Sequence, residues 1–133
     1  MTYKPDFILL ANEWLTPVFD AATQEAVKDM MVSKPNELEE SFYKNLEFGT
    51  GGMRGVMGVG NNRINKYTLG KSTQGVSDYL RQCFPNQSIK AVIAYDCRHN
   101  SNTLAKVVAD VFSANGIEAV SYTHLTLPTS DLV

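Results

Sequence analysis

FGTGGMRGVMG, residues 48–58, contains five glycines in eleven positions, together with Thr50 and a single arginine, Arg54. Glycine loses the most backbone entropy on folding and has no side chain to bury, so a packed core does not favour this composition. Such a loop suits a backbone that turns with positive φ or comes close to a ligand. Because consecutive backbone N–H groups beside an arginine are typical of anion sites, this glycine loop predicts a phosphate site.

The bulk composition indicates an ordinary globular protein. The chain has 133 residues, which suffices for one domain with a core, and its net charge of −2 argues against a nucleic-acid partner bound through a basic surface. No apolar run approaches the roughly 18 residues of a membrane span, and the short N-terminal run FILL is not a secretory signal. Cys83 and Cys97 lack metal-ligand spacing, so we expect both to be buried and reduced, in a cytoplasmic protein without a membrane partner.

Residues 1–47 are predicted to form a helical arm. Thr16-Pro17 indicates a helix start with proline at the first helical position, and Lys34-Pro35 ends that helix and allows another at residues 36–45. The apolar side chains between them recur at three- and four-residue spacing, at Val18, Phe19, Ala22, Ala26, Val27, Met30 and Met31. This spacing is typical of an amphipathic helix, so the arm is expected to cap a larger architecture.

The rest of the chain predicts an α/β arrangement. Val56 to Ile64 is expected to be a β-hairpin or an irregular strand, and residues 65–84 a helix in which Gly70 and Gly75 allow a close neighbouring backbone.

IKAVIAY at residues 89–95 predicts a strand of the parallel type, buried on both faces. A polar loop, a helix at residues 102–114 capped by Asn100 or Ser101, an Asn115-Gly116 stop and a strand at residues 117–122 follow. Strand, helix and strand in this order form a βαβ unit, and ligands in such folds lie where loop 96–101 emerges.

Two nucleotide-binding motifs are only partly matched. Gly70-Lys71-Ser72 has the last letters of a phosphate-binding P-loop, but position 65 is Asn where that motif needs glycine. The dinucleotide pattern GxGxxG starts at Gly49 and fails at Arg54. Neither nucleotide class is therefore predicted from these motifs.

Two motifs together resemble one enzyme family. FGTGGMRG at 48–55 and AYDCRHNS at 94–101, behind a helical arm, resemble the start of the α-D-phosphohexomutases, which include phosphoglucomutase and phosphomannomutase. The resemblance covers residues 1–119 and is greatest to the longer phosphoglucomutase branch. It implies an α/β fold at residues 48–119, an incomplete three-layer α/β/α domain with a mixed sheet, preceded by the helical arm.

The resemblance also implies an activity. Enzymes of this family interconvert sugar 1-phosphate and sugar 6-phosphate through a phosphoserine and a bisphosphorylated sugar that reorients, and glucose is the sugar expected for the parent enzyme. Mg²⁺ and a glucose 1,6-bisphosphate-type activator are the implied cofactors. The implied partners are a sugar phosphate substrate and the remaining domains of the parent enzyme. Because phosphoryl transfer depends mainly on positioning and charge neutralisation, the glycine loop suits this chemistry.

The family motifs place site residues on this sequence. By position, Arg54 faces the phosphoserine with its fork of donors, and Thr50, Gly51 and Gly52 shape the same wall. In the second motif, Asp96 holds Arg98, which braces its loop, and Ser101 caps the following helix. The alternative for the Asp96–Arg98 pair is a purely structural ion pair, and His99 is interpreted as a loop hydrogen-bonding residue rather than a base.

Several family features are not found in these 133 residues. No TASHNP-like serine motif and no DGDADR-like metal loop occurs, so no catalytic residue and no metal ligand is predicted here. Residues 120–133 depart from the expected RPTP-like turn and are interpreted as a non-native or misread tail. The chain is therefore expected to be a piece of a first domain without mutase activity of its own. The alternative is a stand-alone phosphate- or nucleotide-binding α/β module without catalysis.

Overall fold

The computed structural model describes residues 6–122, and the chain divides into two compact units, residues 1–68 and residues 69–133. The first unit contains helices α1 (Phe7–Glu13), α2 (Ala21–Ser33) and α3 (Pro35–Phe42) and the short strands β1 (Phe48–Gly49) and β2 (Gly52–Met53). Helix α4 (Lys66–Cys83) begins at the end of this unit. The second unit continues with β3 (Lys90–Ala94), α5 (Ser101–Ala114) and β4 (Glu118–Tyr122).

Side-chain caps set where the first two helices begin. The Asp6 carboxylate accepts hydrogen bonds from the backbone N–H groups of Ile8 and Leu9, and the Asp20 carboxylate accepts one from Thr23. The prediction that a helix starts at Thr16-Pro17 is wrong, because residues 16–19 form a turn closed by the Phe19 N–H on the Thr16 carbonyl. Asp20 satisfies an N–H that has no partner within the helix, so α2 begins at Ala21.

Three helices of the first unit share one apolar core. Its buried members lie in α1, α2 and α3, apart from Trp14, which directly follows α1: Ala11, Trp14, Val27, Met30, Leu38 and Phe42. The Trp14 ring stacks on Phe19 at 4.5 Å between centroids, and the Trp14 indole N–H donates to the Asn61 side chain at 2.8 Å. The core therefore also fixes the segment that follows the glycine loop. The compact unit ends after Thr68, and the domain boundary at residue 48 stays a prediction.

The second unit contains the predicted βαβ unit. β3 and β4 pair in parallel, from Lys90 opposite Glu118 to Ala94 opposite Tyr122, with α5 between them in the chain. Gly116 has a φ of 71° and ends α5 at the predicted stop. Ile117 is buried at 1% exposure. The strand–helix–strand prediction is thus confirmed.

The predicted burial of β3 on both faces is wrong. Along this strand, half-buried and exposed residues alternate, and the side chain of Val92 is 68% exposed. Helix α5 contacts both strands. Because half-buried and exposed residues alternate along β3, residues 6–122 cover only one face of this strand. Cys83 and Cys97 are likewise exposed rather than buried, because one ends α4 and the other lies in the polar loop after β3.

Helix α4 is confirmed within one residue at each end of the predicted range, and it contains the partial P-loop motif. Its glycines do not serve close backbone contact. A Cβ on Gly70 would meet only side-chain atoms of Val107 and Val111, at 3.8 Å or more, and one on Gly75 would meet nothing within 4 Å. The prediction for these two glycines is therefore wrong.

The fold class is confirmed as α/β. The antiparallel pair β1–β2 and the parallel pair β3–β4 form separate two-stranded sheets within residues 6–122, and the three-layer arrangement with one mixed sheet stays a prediction. None of the helices built from these residues has the length and apolar character to cross a membrane. The predicted non-native tail begins at residue 120, and its first three residues, 120–122, belong to β4. Its residues 123–133 lie outside the described residues.

Candidate functional site

The glycine loop begins as a tight hairpin. β1 and β2 are antiparallel, with Phe48 opposite Met53 and Gly49 opposite Gly52, so Thr50 and Gly51 form the turn. Gly52 has a φ of 126°, a backbone region that side-chain-bearing residues rarely adopt. A Cβ on Gly49 would lie 3.3 Å from the Gly52 carbonyl oxygen. Close strand approach and the turn together explain the glycines at positions 49 and 52.

The four predicted phosphate-site residues line a single cavity. Thr50, Gly51, Gly52 and Arg54 all border an open cavity of about 700 Å³ within the first unit. Arg54 is exposed, and within residues 6–122 it has no ion pair with a carboxylate. Its guanidinium therefore remains available to an anionic ligand at this hairpin. We call this space the glycine-loop cavity.

Hydrogen bonds join the two segments that flank the loop to each other and attach the segment after the loop to the end of α3. The Leu46 N–H donates to the Asn61 carbonyl and the Asn62 N–H to the Ser41 carbonyl, both at 2.9 Å. The Asn62 side chain also donates to the Glu40 carbonyl at 3.0 Å. Arg63 lies 3.6 Å from the Glu40 carboxylate with only 14% of its side chain exposed. The loop is therefore held on the end of α3 and its buried residues.

The cavity includes residues that the sequence analysis missed. Lys44 and Asn62 line the same space as Arg54, and so does Glu47. Lys44 lies only four residues before the glycine motif, so a search for cations near the motif would have found it. Asn62 reaches the cavity only through the hydrogen bonds that tie it to residues 40–41. No local sequence pattern reports such a contact.

The second predicted group, Asp96, Arg98 and Ser101, is assembled in the second unit. One Asp96 oxygen accepts from the Arg98 Nε at 2.7 Å, and the other accepts from the Arg98 backbone N–H at 3.0 Å and the Ser101 hydroxyl at 3.1 Å. The Arg98 guanidinium, then its backbone N–H and the Ser101 hydroxyl, lower the pKa of the Asp96 carboxyl, and Asp96 raises the pKa of Arg98. This cluster lies at the carboxyl end of β3, as predicted.

The geometry of this cluster changes one detail of the prediction. Asn100 occupies the N-cap position of α5 with a φ of 63° and makes no side-chain cap hydrogen bond. Ser101 is the first residue of the helix, and its hydroxyl donates to Asp96. The prediction that either side chain caps α5 is therefore wrong, because the Asp96 carboxylate takes the hydroxyl. The loop is instead braced around Asp96.

A metal centre does not fit the described residues. No group of three or more His, Cys, Asp or Glu side chains comes together as ligands among residues 6–122. Magnesium prefers oxygen ligands, and among the described residues Glu47 is the single carboxylate in the lining of the glycine-loop cavity, so these residues do not form a metal centre by themselves.

One protein-family model matches most of the chain. Residues 45–132 match the family model described as phosphoglucomutase/phosphomannomutase, alpha/beta/alpha domain I. No solved structure is significantly similar.

Several curated proteins are similar over most of the chain. A probable phosphoribomutase of Schizosaccharomyces pombe is 32% identical over 87% of the chain, a phosphoglucomutase of Staphylococcus epidermidis 31% over 90%, and a human phosphopentomutase 33% over 86%. The chain spans 20%, 21% and 20% of the length of these relatives, respectively. Because the family model matches more than half of its residues, the chain belongs to the phosphoglucomutase/phosphomannomutase family.

Proposed function

We propose that this chain forms one wall of the phosphate site of a sugar-phosphate mutase that interconverts sugar 1-phosphate and sugar 6-phosphate. The observation that carries the proposal is Arg54, which lines the glycine-loop cavity beside Thr50, Gly51 and Gly52 and has no carboxylate partner within residues 6–122. The names of the similar proteins, which are mutases of glucose and pentose phosphates, support the reaction class.

The proposed reaction transfers a phosphoryl group in two steps. A phosphoserine gives its phosphoryl group to a sugar hydroxyl, the serine oxygen takes the released proton, and the bisphosphorylated sugar later returns its other phosphoryl group to the serine. Charge spreads over the equatorial oxygens during each transfer, so positioning and neutralisation supply most of the catalysis. Arg54 would donate two parallel hydrogen bonds to these oxygens, and the loop N–H groups would add further donors.

In this proposal the serine belongs to a segment with a TASHNP-like motif, which these 133 residues do not contain. Mg²⁺ and a sugar-bisphosphate activator belong to the proposal as ligands of the whole enzyme. Asp96, Arg98 and Ser101 would act by holding the loop after β3 in one conformation. We also propose a cytoplasmic location, where thiols such as the exposed Cys83 and Cys97 stay reduced.

Replacement of the arginine tests the proposal. In a full-length relative, alanine at the position aligned with Arg54 should lower kcat by about 100- to 1,000-fold, the usual cost of one transition-state donor. The thermal unfolding midpoint should change little, because Arg54 is exposed and makes no ion pair within residues 6–122. An unchanged kcat would refute the phosphate role of Arg54.

Glucose is the sugar we propose. The second candidate is a pentose, whose phosphate would move between the 1- and 5-positions instead, because two of the similar proteins are named for ribose or pentose. Comparison of kcat/KM for glucose 1-phosphate and ribose 1-phosphate in the whole enzyme would separate the two. We further propose that the 133-residue chain by itself has no mutase turnover. Conversion of glucose 1-phosphate above background by the isolated chain would overturn that statement, and phosphate binding without turnover would agree with a binding module alone.

A further inference from the structure

We propose that Lys44 is a second phosphate contact in the glycine-loop cavity, and that Lys44 and Arg54 together make the cavity prefer a doubly charged phosphate monoester. This inference rests on the proposed function, because it takes the anion of this site to be phosphate. It adds a residue from outside the glycine motif and assigns a charge state to the ligand.

The backbone at Lys44 is held firmly at the cavity wall. Phe42, two residues earlier, is fully buried in the core of the first unit. The Tyr43 N–H donates to the Glu39 carbonyl at 2.8 Å, and the Leu46 N–H donates to the Asn61 carbonyl at 2.9 Å. Anchors on both sides therefore fix where the Lys44 side chain starts. Only its flexible stem remains to be ordered when a ligand binds.

The Lys44 ammonium is available for a ligand. Three other basic side chains of the first unit have carboxylate partners: Lys34 pairs with Glu37, Arg63 with Glu40 and Lys66 with Asp20. Lys44 has no such partner within residues 6–122.

Its Nζ instead lies 5.5 Å from the centroid of the Tyr43 ring. A cation–π contact at an exposed site is weak, whereas a charge-assisted hydrogen bond to phosphate is strong. The ammonium can therefore leave the ring for an anion.

The charges around the cavity favour a ligand with more than one negative charge. Lys44 and Arg54 are its two basic lining residues, and Glu47 is its one acidic lining residue. The planar guanidinium of arginine suits two phosphate oxygens, and the compact ammonium of lysine suits a single remaining oxygen. A phosphate monoester has three such oxygens and gains its second charge near pH 6. The pair therefore matches the dianion better than the monoanion.

Binding of methyl phosphate to the full chain tests the inference. We would follow the amide signals of the glycine loop by NMR during titrations at pH 5.5 and pH 7.5, where the ligand is mainly mono- and mainly dianionic. Among residues 6–122, the cavity lining contains no histidine, the side chain that ordinarily titrates in this window. The wild-type chain should bind more tightly at the higher pH.

Three variants test whether the charge of Lys44 contributes to phosphate binding. Lys44→Met should weaken binding at pH 7.5 by about 3- to 10-fold and reduce the gain between the two pH values, as expected for one lost ionic contact. Lys44→Arg should keep most of the affinity at pH 7.5 and most of the gain in affinity between the two pH values. Lys28→Met is the matched control, because Lys28 is an exposed lysine of α2 that also lacks an ion pair within residues 6–122 and does not line the cavity.

The outcomes distinguish this inference from the function on which it rests. If Arg54→Ala abolishes binding but Lys44→Met behaves as Lys28→Met does, the role of Lys44 is refuted and the phosphate site stands. If the wild-type chain does not bind methyl phosphate, or Arg54→Ala binds it unchanged, the proposed function and the role of Lys44 fail together. Fluorescence of Trp14, the single tryptophan and a core residue, checks that each variant is folded.

Discussion

Gly60→Ala should destabilise the first unit far more than Gly51→Ala, a substitution within the glycine loop. Gly60 has a φ of 128°, and a Cβ there would lie 2.5 Å from the Ser41 carbonyl oxygen and 2.8 Å from the Ser41 Cβ. The positive φ costs a side-chain-bearing residue roughly 1–2 kcal/mol, and an overpacked buried contact adds typically 1–3 kcal/mol. The expected loss of unfolding free energy is therefore about 2–5 kcal/mol.

The contact cannot relax easily, because the clashing atoms are the backbone of Ser41 and its 1%-exposed side chain. The Ser41 carbonyl also accepts the hydrogen bond from the Asn62 N–H, so moving it would break a link that holds the glycine loop. The same substitution should therefore weaken binding of phosphate esters as well as stability. Both effects arise from one backbone contact.

Urea denaturation followed by Trp14 fluorescence measures the effect, because Trp14 is 4% exposed in the core of the first unit. Gly51→Ala is the matched control: a Cβ there would meet nothing within 4 Å, and its φ is not positive. Surface substitutions of this kind usually change stability by less than about 0.5 kcal/mol. If Gly60→Ala changes stability as little as Gly51→Ala does, the argument from the close contact is wrong.

Three further predictions concern other parts of the chain. Gly75→Ala should stabilise α4 by about 0.5–1 kcal/mol, because an added Cβ has open space in a helix interior; faster amide hydrogen exchange in α4 would contradict this. The hydrogen bond from Lys66 is the main cause of the lowered pKa of the Asp20 carboxyl. The stability that Asp20 contributes is therefore present above the pKa of the unfolded state, about 3.9, and is lost as the pH falls through the lower pKa of the folded state. The advantage of wild type over Asp20→Asn in urea denaturation should therefore shrink from pH 6 to pH 2, and a constant gap would contradict the sign. Glu47→Gln should raise the affinity of the chain for methyl phosphate by about 2- to 3-fold, because one carboxylate leaves the cavity lining; weaker binding by calorimetry would count against the assigned charges.

Sequence reasoning was most successful where a short segment determines its own structure. The βαβ unit was predicted from the apolar run at residues 89–95 and the Asn115-Gly116 stop, and both occur as expected. It failed where two local signals competed. Pro17 favours a helix start, but the Asp20 side chain accepts the Thr23 N–H and moves the start to Ala21.

Burial was the least predictable property. An apolar, β-branched run is typical of a strand covered on both faces, but exposed and half-buried residues alternate along β3. Whether Val92 is covered depends on what packs against the sheet, and its own segment carries no information about that. The same holds for Cys83 and Cys97, whose exposure follows from their positions at the end of α4 and in the loop after β3.

The sequence by itself determined the family and the glycine loop with its Arg54, because backbone preferences and short motifs act over a few residues, whereas the β1–β2 hairpin within that loop was seen only in the structure. It also placed Asp96, Arg98 and Ser101 close together between β3 and the start of α5, where their hydrogen bonds span at most five residues. Only the tertiary structure decided that Lys44 and Asn62 share a cavity with Arg54. That arrangement depends on hydrogen bonds that join Asn62 to the end of α3 and Asn61 to Leu46, and such contacts form only when distant segments fold onto a common core.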